Sequence, residues 1–202
     1  YEEFEDERTR VGRNDPAPHS LWLFDLAAHT KEQLKFDALP GIHDDPLKSV
    51  REENTALIKS RSKDGEHADA SGKKDNTEKA KNEGEKSKES KARPLEVMAM
   101  HFSADGVNAA VELRAIDSKD RWIASVDFAK PALVPQHRLH DDAWVNWTFN
   151  DFGFTRDGRT LWYLSEESGY SHLYVKPLDG KARALTQGHF EISSPKVSHD
   201  GR

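Results

Sequence analysis

Three stretches of this sequence share one pattern: Met100-His101-Phe102-Ser103-Ala104-Asp105-Gly106, Phe152-Gly153-Phe154-Thr155-Arg156-Asp157-Gly158 and Pro195-Lys196-Val197-Ser198-His199-Asp200-Gly201. Each runs from an apolar strand residue through Ser or Thr and one variable residue to Asp-Gly. The residue types suit a tight turn. The hydroxyl and the carboxylate can bond nearby backbone N–H groups, and glycine supplies positive φ where the chain reverses. The three aspartates are 52 and 43 positions apart. After each of the first two turns comes an apolar strand, a polar turn and another strand.

Short segments rich in aromatic and β-branched residues fill the spaces between these turns. From Pro94 onward the predicted strands include Val97 to Phe102, Ala109 to Leu113, Trp122 to Phe128, Trp144 to Phe149, Thr160 to Leu164 and His172 to Val175. Units close on Leu or Phe beside Asp, as in Asp127-Phe128, Leu178-Asp179-Gly180 and the earlier Asp25-Leu26. A period of roughly 40–50 residues with about four strands per unit is the signature of a β-propeller. A β-sandwich with similar hairpins is the competing fold. The expectation is an all-β chain: a partial β-propeller of about three to four blades of four-stranded antiparallel sheet. A ring closes by bringing its last blade against its first. Asp200-Gly201-Arg202 is a turn with no strand after it, so the reading expects a piece of a longer protein.

Upstream, Leu21-Trp22-Leu23-Phe24-Asp25-Leu26 reads as a strand with at least one buried face, and Gln33 to Phe36 as its return. Asp44-Asp45-Pro46 followed by Leu47, Val50, Leu57 and Ile58 predicts a short helix, capped by Asp44 or Asp45, with an apolar stripe on one side. The predicted organisation is a lead-in over residues 1–20, a first blade region with the helix over 21–60, a charged insertion over 61–92, and further blades over 93–202.

The chain has 202 residues, of which 35% are hydrophobic, a low share for one globular domain. The insertion accounts for it. Its 32 residues contain no large apolar side chain and 17 charges, so it cannot bury enough surface to offset its ordering entropy and is expected to be disordered. The remainder holds every Trp, Phe and Tyr and can build a core. The net charge of −6 and the interleaving of basic with acidic residues argue against a nucleic-acid surface. Apolar runs are too short to span a bilayer as a helix. No targeting segment is visible, and without Cys there is no thiolate metal ligand or Cys nucleophile in this span. The ten His show no ligand spacing on a credible scaffold, so neither metal nor cofactor is expected.

The stretch Leu161-Trp162-Tyr163-Leu164-Ser165-Glu166-Glu167-Ser168-Gly169-Tyr170-Ser171-His172-Leu173-Tyr174-Val175 resembles the propeller of the prolyl oligopeptidase family of serine peptidases, in particular its dipeptidyl-peptidase-IV-like branch. Leu39-Pro40-Gly41-Ile42-His43-Asp44-Asp45-Pro46 and Arg114-Ala115-Ile116-Asp117-Ser118-Lys119-Asp120-Arg121-Trp122 resemble bacterial members. The resemblance covers about Leu21 to Arg202 apart from the insertion. It implies a propeller that gates peptides ahead of a C-terminal α/β-hydrolase domain carrying a Ser-His-Asp triad. It also implies a periplasmic or secreted location and a homodimer of the full-length protein.

No Gly-x-Ser-x-Gly elbow occurs here, so no catalytic residue is assigned. Members of the dipeptidyl-peptidase branch hold the peptide amino group with a Glu pair, which suits an ammonium donor. That pair follows an Asp-Trp segment. The matching place here, Asp142 to Asp151, offers Asn146, Asn150 and Asp151 in its stead, which leaves dipeptidyl-peptidase, aminopeptidase and oligopeptidase specificities open. Glu166, Glu167, Tyr170, Asn146 and Asp151 are the candidate substrate-binding residues. The residues Arg114, Asp117, Asp120 and Arg121 read as a charged loop, His172 as a partner within its blade, and one of Trp144 and Trp147 as core. A non-enzymatic TolB-like propeller that binds protein or sugar is the alternative.

Overall fold

The computed structural model describes residues 18–63 and 92–198. The expectations for the lead-in up to residue 17, for residues 64–91 of the insertion and for residues 199–202 of the third repeat lie outside the described residues. The chain divides into two units, one holding the described residues 18–42 and 92–198, the other 43–63.

The larger unit is built of antiparallel strands. A hairpin joins β1 (Leu21–Asp25) to β2 (Thr30–Leu34), with Leu21 opposite Leu34 and Asp25 opposite Thr30. The Asp25 carboxylate accepts from the N–H of Ala27 and Ala28, both at 2.9 Å, and so closes the turn. The return strand therefore begins at Thr30, earlier than the expected Gln33. A four-stranded sheet follows, in the order β3 (Leu95–Phe102), β4 (Ala109–Ala115), β5 (Asp120–Asp127) and β6 (Ala132–His140). A second has the order β7 (Phe152–Phe154), β8 (Thr160–Ser165), β9 (His172–Pro177) and β10 (Arg183–Ala184). Two successive up-and-down sheets of four strands are blades, and the chain is a partial β-propeller.

Each Asp-Gly repeat that is described closes the first hairpin of its blade. In the first, Ser103 Oγ donates to Asp105 Oδ1 (2.5 Å), which also accepts from Val107 N–H (3.0 Å). In the second, Thr155 Oγ1 donates to Asp157 Oδ1 (2.7 Å), which also accepts from the N–H of Arg159 and Thr160, both at 2.9 Å. Led by the Thr155 bond, these contacts hold the Asp157 carboxyl down to about 2. Gly106 and Gly158 have φ of 71° and 65°, the left-handed region that a Cβ disfavours.

The two central strands of the first blade are buried on both faces. Val111, Leu113, Trp122, Ala124 and Val126 pack with Leu34, Leu39 and Ile42. On the opposite face, Ala110 and Ile123 pack with Phe152, Leu161, Tyr163 and Tyr174 of the second blade. The period of two along β4 and β5 thus assigns alternate residues to two different cores.

Three expectations are corrected. Residues Trp144 to Phe149 form no strand. Asp141 accepts from the N–H of Ala143 and Trp144, and Asn146 from that of Thr148, so local side-chain bonds win over a ladder. Asp120 and Arg121 are not in a loop but fully buried on β5, and Asp117 pairs with Arg93. Strand β6 was not among the expected strands. It is an edge strand, and the ladder slips beside Pro135, between Ile123 and Ala124, where a missing N–H is tolerated.

The smaller unit holds α1 (Lys48–Lys63). Asp45 caps it as expected, its Oδ1 accepting from Leu47 N–H at 3.2 Å. Its side chains from Lys48 to Ser60 are exposed, the stripe of Val50, Leu57 and Ile58 included.

Asp120 binds the segment before β3 and the edge strand to the first blade. It accepts from Arg93 Nη1 (2.6 Å), Arg138 Nε (2.7 Å) and His140 Nδ1 (3.0 Å) with no exposed surface. Beside it, Arg93 Nη1 reaches Gly41 O and Trp122 Nε1 donates to Pro40 O. Asp120→Asn removes a charge that the buried Arg93 depends on, so it should destabilise the fold by about 3 kcal/mol, read as a lower urea midpoint. Glu96→Gln, at a part-exposed pair with Arg114, should cost roughly 1 kcal/mol or less. Equal midpoints for the two variants would contradict this assignment.

Candidate functional site

The sequence Ser165-Glu166-Glu167-Ser168-Gly169 forms the loop from β8 to β9. Gly169 N–H donates to Glu166 O (2.8 Å), and Gly169 takes φ of 94°. The turn sends the two adjacent carboxylates to different partners. Glu167 Oε2 lies 2.8 Å from Nε2 of His137 on β6. Glu166 Oε1 lies 3.4 Å from Asn146 Nδ2, a long contact. A cleft of about 580 Å³ is lined by Glu166, Glu167, Asn146, Trp144 and His140.

Behind this cleft lies Arg121, fully buried. Its Nη1 donates to Asn150 Oδ1 (2.6 Å) and its Nη2 to Leu164 O (2.9 Å), so it joins β5 to the second blade. Nη2 also lies 3.4 Å from His137 Nδ1. A guanidinium only donates, so Nδ1 accepts and Nε2 carries the proton given to Glu167. His137 is therefore neutral, and burial pushes its pKa down. The His137 bond holds Glu167 below its usual range. Glu166 shifts the other way: burial raises it, and the nearby carboxylates of Glu191 and Asp141 add to that.

The structure brings together three of the five predicted residues, Asn146, Glu166 and Glu167. Tyr170 turns elsewhere and stacks on His189 with ring centroids 5.5 Å apart. Asp151 lines a separate cleft with Glu112, His101 and Trp162. His172 bonds within its blade, to Thr186 Oγ1 and Gly188 O. Trp144 is exposed, while Trp147 is half-buried beneath the Arg114 guanidinium. Sequence reasoning missed Arg121, His137 and Glu112. The period of two through Arg121-Trp122-Ile123 was the available signal for Arg121, since it puts that side chain on the same face as Ile123. Among the described residues no three His, Asp or Glu are grouped to hold a metal. No described helix is long and apolar enough to cross a membrane.

The buried groups of this network oppose one another in mild acid. Unfolded histidine gains its proton near pH 6.5, whereas His137, with its pKa lowered, resists it. Its contribution is complete above about pH 6.5 and is lost as pH falls below that. Glu167, lowered from 4.5, loses its contribution as pH falls below about 4.5. Glu112, pushed up to about 7, has the opposite sign: its contribution fades as pH rises from 4.5 to 7. His137→Gln, which can still donate to Glu167, removes the acid-side loss and leaves the Glu112 gain unopposed, so between pH 6.5 and about 5 its melting temperature should rise relative to that of the native protein as pH falls. A parallel pH dependence of the two proteins in that window would show that His137 does not titrate differently on folding.

The family model described as the dipeptidyl peptidase IV N-terminal region matches residues 76–201. Two crystal structures are similar. One is a dipeptidyl aminopeptidase IV candidate from Bacteroides ovatus, 16% identical, with a TM-score of 0.41, covering 46% of this chain and 16% of that one. The other is TolB from Acinetobacter baumannii, 16% identical, with a TM-score of 0.40, covering 91% of this chain and 30% of that one. The chain thus spans well under half the length of either protein.

Proposed function

This chain belongs to the dipeptidyl peptidase IV N-terminal region family, and on that footing we propose that it is the substrate-gating part of a serine peptidase that hydrolyses oligopeptides, the catalytic α/β-hydrolase domain lying outside residues 1–202. The observation that carries the reading is the state of Glu166. Its carboxylate lines an open cleft, has one long contact among the described residues, and feels the negative charges of Glu191 and Asp141 against the pull of Arg121. A peptide ammonium entering there relieves like-charge repulsion and forms charge-assisted hydrogen bonds with Glu166.

The two glutamates have different roles. Glu167 is already engaged by His137, so it fixes the loop and adds negative potential. Glu166 takes the amino group, and the amide of Asn146 orients it. Trp144, exposed on the same cleft, offers an apolar wall to the first side chain of the peptide. The chemical step belongs to the other domain: a serine hydroxyl gives its proton to a histidine base as it attacks the carbonyl of a peptide held by this end, the peptide C–N bond breaks to leave an acyl-enzyme, the histidine returns the proton to the leaving amine, and water then hydrolyses the ester.

A fluorophosphonate probe should label the full-length protein and not residues 1–202 alone. Glu166→Gln in the full-length enzyme should raise KM about tenfold for peptides with a free amino terminus. It should leave the probe reaction unchanged, and the KM of N-acetylated peptides as well. An equal effect on free and acetylated peptides would remove Glu166 from amine recognition, and absence of probe labelling would remove the peptidase.

A further inference from the structure

The second cleft, of about 590 Å³, lies where segments of the three repeats converge. His101 and Phe102 end β3, Phe152 to Phe154 form β7, and Pro195 to Val197 belong to the third repeat. Such a volume is in the range of small-ligand sites. Its walls are organised. The Trp162 ring lies so close over Gly153 that a Cβ there would sit 2.9 Å from it. His101 meets Phe152 edge to face at 4.7 Å.

Glu112, from the centre of β4, lines this cleft with 5% of its surface exposed. Among the described residues its Oε1 has no hydrogen-bond partner. Arg121 Nη1 lies 3.7 Å away, beyond hydrogen-bond reach; the Nη atoms bond Asn150, Leu164 O and His137, and the buried Nε has no partner among the described residues. Across the cleft stands Asp151, exposed and carrying a second carboxylate. A buried acceptor without a donor is a costly state that native proteins rarely keep. Among the described residues no donor meets Glu112 Oε1, so this acceptor is open to a cation with N–H donors.

We propose that this cleft binds a guanidinium group, such as an arginine side chain of a peptide, with Glu112 and Asp151 as its carboxylate partners and Trp162 and Phe152 as its apolar walls. A guanidinium fits better than a compact ion. It is planar, weakly hydrated and able to donate to two carboxylates while lying on an aromatic face. The two carboxylates alone fall short of the oxygen-rich shell that calcium takes. That the guanidinium comes from a peptide rests on the function proposed above; the site itself does not.

Burial, with Asp151 adding to it, raises Glu112 to about 7 against the opposing pull of Arg121 and Arg114. The other titratable groups facing the cleft are His101 and Lys196. A cation needs the ionised carboxylate, so affinity should rise with pH from 6 to 8.

The test is calorimetric titration of the full-length protein with N-butylguanidinium, whose charge is constant over this range. The expected dissociation constant is on the order of millimolar for so small a ligand, tightening from pH 6 to pH 8. Asp151→Asn should weaken binding about tenfold. Glu112→Gln should weaken it about tenfold at pH 8 and remove the pH dependence. Glu166→Gln should change nothing, which separates this site from the amine cleft. Should Glu112→Gln fail to fold, Asp151→Asn decides alone, because Asp151 is exposed. Wild-type affinity in Asp151→Asn overturns the proposal, as does loss of binding in Glu166→Gln. Tighter binding of butylammonium or of calcium at these residues overturns the choice of guanidinium.

Discussion

The guanidinium of Arg121 lies in the face that the first blade turns toward the second, and both sides of that interface depend on it. It has no exposed surface, so its charge has to be met inside the protein. The Asn150 oxygen and the Leu164 carbonyl accept from it at 2.6 and 2.9 Å. Both belong to the second blade or to the segment leading into it. The apolar contact of Ile123 and Ala110 with Phe152, Leu161 and Tyr163 is non-directional and would tolerate small shifts of one sheet over the other. The guanidinium fork does not, since its donors have fixed directions. Arg121 therefore sets the register of the blades, and the aromatic contact supplies the bulk of the burial.

Asp120, the preceding residue, does the corresponding work on the opposite face. Because side chains alternate along β5, Asp120 and Arg121 cannot pair with each other. Each must find its counter-charge in a different neighbour. Asp120 meets Arg93, Arg138 and His140, while Trp122 on the same face donates to Pro40 O. The tripeptide Asp120-Arg121-Trp122 thus holds one segment on each side of the blade. A strand buried on both faces usually reads as continuously apolar. Here two charges interrupt that reading.

That interruption is why part of the structure was not legible in the sequence. The Asp-Gly turns were legible because their bonds are local: Ser103, Asp105, Thr155 and Asp157 make the contacts their types dictate. The strands with dense apolar residues were legible for the same reason. Asp120 and Arg121 were read as loop residues because charge marks the surface in most chains, and their partners lie at positions 93, 138, 140 and 150, beyond the reach of any spacing rule. Trp144 to Phe149 were read as a strand because aromatic content outweighed the Asx turns at Asp141 and Asn146. Among site residues, Glu166, Glu167 and Asn146 converge, whereas the separation of Asp151 from them depends on which blade face each loop leaves.

The same guanidinium links the chemistry of both clefts. The hydrogen bonds that its Nη atoms make go to groups that are neutral: an amide, a backbone carbonyl and the His137 ring. The carboxylates around it, Glu112 on one side and Glu166 and Glu167 on the other, feel its field without a hydrogen bond from it. That field limits how far burial can raise Glu112 and Glu166, since Arg121 pulls both downward. Had Arg121 bonded Glu112 directly, the pair would be satisfied internally and the cleft would have no acceptor left for a ligand. By binding neutral acceptors, Arg121 joins the blades and leaves the nearby acidic groups charged enough to attract cations and under-bonded enough to hold them.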